Sequence, residues 1–451
     1  MTKIIFSFDT EDYINAHGAD GIIGTSAVLR EAGVKGCYNI VGLMAEALVE
    51  WGRQDAIDEM KNYHEIDYHS HRHSLHPTIN EYTDRADFWA ALNEFKEDEA
   101  KGLKKVCDIF GVDPKTMPAA VPPGNSTSYV AHYGYADMGL PIYAGDDLID
   151  VVRSRPIYAC NVLTTHYISA LENKLFTATE ESLKKYLDEK VAKKDVFTFF
   201  NHPQRVTCTT YCDIDNFYGV NVPKDKWIQS PPHTEEEIAK FYENFRILLR
   251  LINEDPRFEV ITYSQLRDMM KEDDRIIDLP TLANLKAQLE EYFFPVTTPN
   301  SYCIADVMLA ARSLLLGESE HKCGYVYGFM DTPFSVPAPV TLTKSEVIEA
   351  AKRIDPERFL PEYIVVDDKK IGPADWLRAA LAVLVDGAEE YTIMPDGQWQ
   401  IDLDQFPQLR DLHYDNSWIH CKSLSDNYLS DRFRLQSWTF RLPKDTDRKI
   451  F

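Results

Sequence analysis

Five of the chain's 13 histidines fall in the run YHEIDYHSHRHSLHP from Tyr63 to Pro77: His64, His69, His71, His73 and His76. Imidazole is the commonest side-chain ligand for borderline metal ions such as zinc. His69 and His73 stand four residues apart, so one helical turn or one tight loop aims both rings at a single ion. The other three histidines do not share that spacing. A polar loop of capping histidines would have the same composition. The difference lies in the context: the pair follows a short apolar, strand-like run, and carboxylates and another histidine occupy comparable places elsewhere.

A site assembled from such distant pieces needs a scaffold that brings them together. Residues 1 to about 272 alternate short apolar, β-branched runs with stretches of helical periodicity. Candidate strands are Lys3–Phe8, Cys37–Val41, Glu65–Tyr68, Met117–Val121, Leu140–Ala144, Val196–Phe200 and Phe258–Thr262; candidate helices lie near 24–32, 43–61, 86–110, 126–138, 179–193 and 235–253. This alternation predicts βα units on a parallel sheet or barrel. Asp9, Glu11 and Asp12 follow the first strand, and His69 and His73 the third. Pro122, Pro123, Gly124 and Asn125 follow the fourth, Asp146 and Asp147 the fifth, and Asn201 and His202 a late one. In a βα barrel, catalytic groups gather at the carboxyl ends of the strands. Separate polar clusters that all choose that end point to an enzyme.

Composition narrows the partners. The chain has 451 residues, 44% hydrophobic and 27% charged, an ordinary globular make-up and too long for one typical core. A net charge of -24 argues for solubility, and against nucleic acid or an anionic membrane surface as a partner. The start, MTKIIFSFDTED, lacks the long apolar core and cleavage site of a signal peptide, and no stretch reaches about 18 uninterrupted apolar residues. The eight cysteines are scattered, and the close pair Cys208 and Cys212 lacks a second pair at zinc-ribbon spacing. A reduced, cytoplasmic setting is the expectation. Homo-oligomer formation is left open.

Residues 1 to about 270 resemble the polysaccharide deacetylase family (the NodB homology domain, carbohydrate esterase family 4). SFDTEDY is similar to the family's first motif, Thr-Phe-Asp-Asp-Gly, and EIDYHSHRHSLHP to its second, His-Ser/Thr-x-x-His, through His69, Ser70 and His73. VPPGNSTSY resembles the third, Arg-Pro-Pro-Tyr-Gly, and TFFNHP the last, Leu-x-His. The resemblance implies a distorted (β/α) barrel that removes acetyl groups from N- or O-acetylated sugars with a divalent metal, zinc being the first choice and other divalent ions remaining open. It implies Asp9 as general base, His69 and His73 as metal ligands and His202 as general acid. An Asp146 or Asp147 partner for His202 would follow the family's fourth motif. Pro123, Asn125, Tyr211 and Trp227 are candidate substrate contacts.

Two positions depart from the pattern. The residue after the base ordinarily ligates the metal, and here it is Thr10, whose hydroxyl is a poor replacement for a carboxylate. Strand alternation would put Glu11 on the face of Asp9. Freedom to curl past the strand end favours Asp12 instead, so the third ligand is expected to be Asp12, or else Glu11. Val121 stands where the family has an arginine that orients the base by a charge-assisted hydrogen bond. Either another cation such as Arg72 or Arg205 serves Asp9, or the site is weak or retuned.

From Arg205 to His233 runs an irregular insertion in which Tyr211, Phe217, Tyr218 and Trp227 sit among polar residues. Such aromatics are natural stacking faces for sugar rings, or else anchors for the loop itself. Beyond residue 272 a helical accessory region, 273–386, and a β-rich segment, 387–451, are expected. Ala305-Asp306 with LAARSLLLG and Ala374-Asp375 with RAALAVLVDG echo one another 69 residues apart, the mark of a duplicated helical unit. Residues 340–386 also resemble a pseudomurein-binding-type repeat, which implies a glycan-binding or packing module. Three functions compete: a metal-dependent carbohydrate deacetylase, which leads; a carbon-nitrogen hydrolase acting on a small non-sugar amide; and a catalytically impaired carbohydrate-binding protein.

Overall fold

The computed structural model describes residues 1–123, 128–145, 149–150, 152–166, 169–272, 274–291, 293, 301–395, 408–409 and 428–444. They form two compact units: the described residues of 1–156 with 162–269, and those of 157–161 with 270–409 and 429–444.

The parallel strands of the first unit are β1 (Thr2–Thr10), β2 (Cys37–Val41), β3 (Glu65–Ser70), β4 (Ala119–Ala120), β5 (Ile142–Ala144), β6 (Val162–Thr165), β7 (Ser169–Ala170), β8 (Val196–Asn201) and β9 (Phe258–Val260). All pair in parallel, in the order β6-β5-β4-β3-β2-β1-β8-β7, and β9 joins the start of β1 on the edge that β2 takes further along. The sheet curls into an open, distorted (β/α) barrel, as the resemblance implies and in keeping with the parallel βα units that the alternation predicts. Each candidate strand is present. β6 and β7 are additional.

Alternation along β1 sets the layers. Ile4, Phe6 and Phe8 face the helices: Phe6 stacks on Phe199 at 5.4 Å and Phe8 on Tyr38 at 4.9 Å, with Phe245 of helix Glu235–Glu254 edge-on to both. Ser7 and Asp9 therefore face into the barrel, and Ser7 accepts there from Tyr263 Oη at 3.0 Å. Helix Phe88–Phe110 starts at Asp87, which accepts from Ala90 N–H, and stops at Gly111 with φ +69. The helix expected across 43–61 is two helices, Gly42–Glu50 and Gln54–Tyr63, because Gly52 at φ +68 turns the chain between them.

The second unit builds one plan twice. Antiparallel strands Ile276–Asp278 and Glu320–Lys322 bracket helices Leu279–Glu291 and Ile304–Leu315. Strands Val340–Thr343 and Glu390–Ile393 bracket helices Lys344–Ala351 and Pro373–Val385. In each half an aspartate, Asp306 or Asp375, accepts from the backbone N–H three residues earlier at 3.0 Å and caps the second helix. Among the described residues no helix is long and apolar enough to cross a membrane.

Candidate metal centre and active site

At the carboxyl end of β1 the strand runs unbroken to Thr10, so its alternation carries Asp9 and Glu11 to the same inward face. Thr10 turns back, its hydroxyl donating to Phe8 O at 3.1 Å. β3 leaves its extended path at Ser70 (φ 137), and the turn closes with His73 N–H donating to Ser70 Oγ at 3.1 Å and His73 at φ 56. These are left-handed conformations that non-glycine residues rarely adopt, costing on the order of 1–3 kcal/mol each. They draw the His69 and His73 rings together, 5.0 Å between centroids. The spacing of four is thus realised by a tight turn. Gly102 allows it, because a Cβ there would meet His71 Cα at 2.4 Å.

Glu11 sits at the centre. Its Oε2 lies 3.1 Å from His69 Nε2 and 2.8 Å from His73 Nε2, and its Oε1 3.5 Å from His202 Nε2. All these groups except His202 are buried. Asp12, favoured above as the third ligand, points elsewhere: it accepts from the backbone N–H of Ile14 (3.0 Å) and Asn15 (2.9 Å) and from Asn15 Nδ2 (2.8 Å). The correction has a simple cause: β1 does not turn before Glu11, so strand alternation decides.

Electrostatics favour a cation here. Burial would raise the Glu11 carboxyl, but the imidazoles of His73, His202 and His69 hold it well below the usual range. Burial would lower His73, but Glu11 and Asp213 push it well above. The donor set fits a zinc-like ion: two imidazole nitrogens and a carboxylate oxygen, all within 4.8 Å of one another, as in three-ligand catalytic zinc sites. His73 Nδ1 is meanwhile 3.1 Å from Asp213 Oδ1, the kind of outer carboxylate that orients a ligating histidine.

On the other side of Glu11 stand Asp9 and His202. β1 and β8 pair with Phe8 opposite Asn201, so the next residues, Asp9 and His202, emerge side by side, 3.9 Å apart. Gly21 seats helix Gly18–Glu31 against Pro203, since a Cβ there would meet Pro203 O at 2.1 Å. His202 Nδ1 lies 3.0 Å from Glu172 Oε1, which also accepts from Tyr211 Oη at 2.7 Å. Burial opposes the charge on His202, yet Glu11 and Glu172 push its pKa up to about 10. Neither arginine proposed for Asp9 serves it by the contacts described. Arg72 donates to Asp98 at 3.0 Å, and Arg205 donates to Cys208 O and lies over the Tyr211 ring at 4.4 Å. Asn39, Asp9's register partner on β2, donates to Asp9 Oδ1 at 2.6 Å, while Val121 is fully buried.

The candidate substrate contacts are distributed differently. Pro123 is buried at the end of β4; Asn125, Asp146 and Asp147 lie outside the described residues. Tyr211 is tied to Glu172 and edge-on to His202, 5.2 Å between centroids. The Trp227 indole donates to Val222 O at 2.9 Å and packs on Tyr13 at 5.9 Å. These aromatics fasten the insertion to the barrel rather than stand out as free stacking faces. Asn39, Glu172 and Asp213 escaped the sequence reading. Asn39 had a signal, an amide inside the apolar run CYNIV; Glu172 follows a two-residue strand and Asp213 sits in an aperiodic loop.

No protein-family model matches the chain, and no curated protein matches it in sequence. Solved structures similar to it include a Mycobacterium smegmatis protein assigned as a polysaccharide deacetylase, at 14% identity over 59% of this chain and 89% of that one, with a TM-score of 0.39. A peptidoglycan deacetylase of Bacillus subtilis follows at 11% identity, 64% and 96% coverage and a TM-score of 0.32. A family 4 carbohydrate esterase pseudoenzyme of Bacillus anthracis is similar at 10% identity, 45% and 56% coverage and a TM-score of 0.28. Likeness so distant bears on neither activity nor substrate, and both a deacetylase and a pseudoenzyme are among these structures.

Proposed function

We propose that the first unit is a metal-dependent hydrolase that removes acetyl groups from an N- or O-acetylated carbohydrate. One observation carries the reading: Asp9, Glu11, His69, His73 and His202, drawn from three separate strand ends, converge at a single barrel mouth. Glu11, His69 and His73 would hold the ion, which when bound polarises the acetyl carbonyl and acidifies a water. Asp9, steadied by Asn39, takes a proton from the water that attacks the acetyl carbonyl carbon. His202, kept protonated with Glu172 beside it, gives a proton to the departing amine or alcohol. General acid and base groups are typically worth on the order of 100- to 10,000-fold each.

The test is acetate release from a panel of N- and O-acetylated mono- and oligosaccharides, with and without a chelator. Chelator-sensitive release, restored by zinc and abolished in Asp9→Asn, is the expected result. The apolar Val121 and the neutral Asn39 favour a second reading, a carbohydrate-binding protein with impaired catalysis, which glycan binding without turnover would establish. Turnover of small linear or cyclic amides alone would identify a carbon-nitrogen hydrolase.

A further inference from the structure

We infer that the barrel carries a second metal site, for a zinc-like divalent ion held by Cys37, Glu65 and Asp67. It lies inside the sheet toward the amino ends of β2 and β3, away from the mouth where His69 stands. The register builds it: Cys37 opens β2 and pairs with Glu65, which opens β3, and Asp67 follows two residues later on the same face. The sulfur and one oxygen of each carboxylate all lie within 4.8 Å of one another.

Asp67 marks this cluster as more than a group of polar residues. It is 0% exposed, and neither of its carboxylate oxygens has a partner at full hydrogen-bonding geometry, the Ala119 N–H and the Cys37 thiol being the polar groups that approach it. Burying such a group unsatisfied costs several kcal/mol, and an orphan of this kind calls for an unseen ion or water. Asn39, the register partner of Asp67 on β2, spends its amide on Ser7 (2.7 Å) and Asp9 (2.6 Å). Glu65 accepts from Ser264 N–H at 3.0 Å, and Cys37 Sγ lies 3.5 Å from Glu65 Oε1. These contacts hold two of the three donors facing one point.

The donor chemistry selects the ion. Calcium and magnesium take oxygen ligands and have little use for a thiolate, whereas copper(I) favours sulfur over carboxylates. One thiolate with two carboxylates suits zinc or cobalt(II). The site is separated from His69 by two strand residues beyond Asp67, about 7 Å, too far for an ion there to share a ligand with the catalytic one. Its place at the amino end of the strands, where barrels invest in stability rather than chemistry, gives it a structural role: tying β2 to β3. Glu65 is only half-buried and opens a route from solvent.

The experiment separates this site from the upper one without using activity. His69→Ala removes an upper ligand, and zinc per chain is then measured by elemental analysis in wild type, His69→Ala and His69→Ala/Asp67→Asn. Two, one and no ions are expected. Cobalt(II) added to His69→Ala should give a thiolate-to-cobalt charge-transfer band that Cys37→Ser abolishes, and zinc should raise the melting temperature of His69→Ala but not of the double variant. One zinc in wild type and none in His69→Ala, with native circular dichroism, would overturn the second site while sustaining the first. A cobalt spectrum unchanged by Cys37→Ser would also overturn it.

Discussion

The Glu172→Gln substitution isolates the electrostatics of the proposed acid. His202 ordinarily would titrate near 6.5 and is pushed up to about 10, against burial, by Glu11 first and Glu172 next. Glu11 shares its charge once it is a metal ligand, so Glu172, 3.0 Å from His202 Nδ1, becomes the more durable partner. A unit charge at that separation and an effective dielectric near 20 contributes at most about 5 kcal/mol, and measured effects of one opposite charge are roughly 1–3 pH units. Replacing the carboxylate by an amide removes the charge and keeps the shape. The sign follows directly: an anionic neighbour retains the proton on His202, so its loss lowers the pKa and less of the acid is protonated on the alkaline side. The alkaline limb of kcat/KM on the best acetylated substrate should move by about 1–2 pH units toward acid, equivalent to about 1.4–2.7 kcal/mol. Activity near pH 6 should change little, and metal content should not change. An alkaline limb that stays in place while activity falls at every pH would refute His202 as the acid tuned by Glu172.

Glu11→Ala should lose the zinc of the upper site, leaving one ion per chain, while Asp12→Ala keeps both, because only Glu11 faces His69 and His73; elemental analysis decides, and equal retention would place the carboxylate ligand elsewhere. Asp213→Asn should weaken zinc about 10- to 100-fold in a competition titration by loosening His73, the usual cost of losing an outer-shell partner. Glu99 is buried beneath Tyr68 and Tyr135, whose hydroxyls donate to it at 2.7 and 3.2 Å, and burial, with Asp98 adding to it, raises its pKa to about 7 from 4.5. A raised carboxyl stabilises the fold below its unfolded pKa, and that contribution is lost as pH climbs through about 7. Urea unfolding of Glu99→Gln should therefore lack roughly 2.5 kcal/mol of the wild-type decline in stability between pH 5 and 8. Identical pH slopes in the two proteins would contradict a neutral Glu99.

What could be read from the linear chain was whatever repeats locally. Hydrophobic runs of period two and 3.6 located the strands of the barrel wall and their helices, because a strand such as IIFSF must bury side chains wherever it ends up. The rule that polar residues past a strand's carboxyl end meet at one mouth then pointed to Asp9, His69, His73 and His202, whose side chains lie around Glu11. The partners of those residues were decided by tertiary structure. Whether Glu11 or Asp12 joins the histidines depended on where β1 bends, which pairing with β2 and β8 fixes and no local pattern encodes. Asn39 reaches Asp9 only because parallel register sets them opposite, Glu172 reaches His202 from the end of a two-residue strand, and Asp213 reaches His73 from an aperiodic loop. Whether Tyr211 and Trp227 are stacking faces or anchors stayed open in the sequence because composition cannot tell an aromatic that meets solvent from one that anchors its own loop. Periodicity is a property of neighbours in sequence, whereas hydrogen bonding and charge pairing at this mouth belong to residues brought together by strand register and turn geometry.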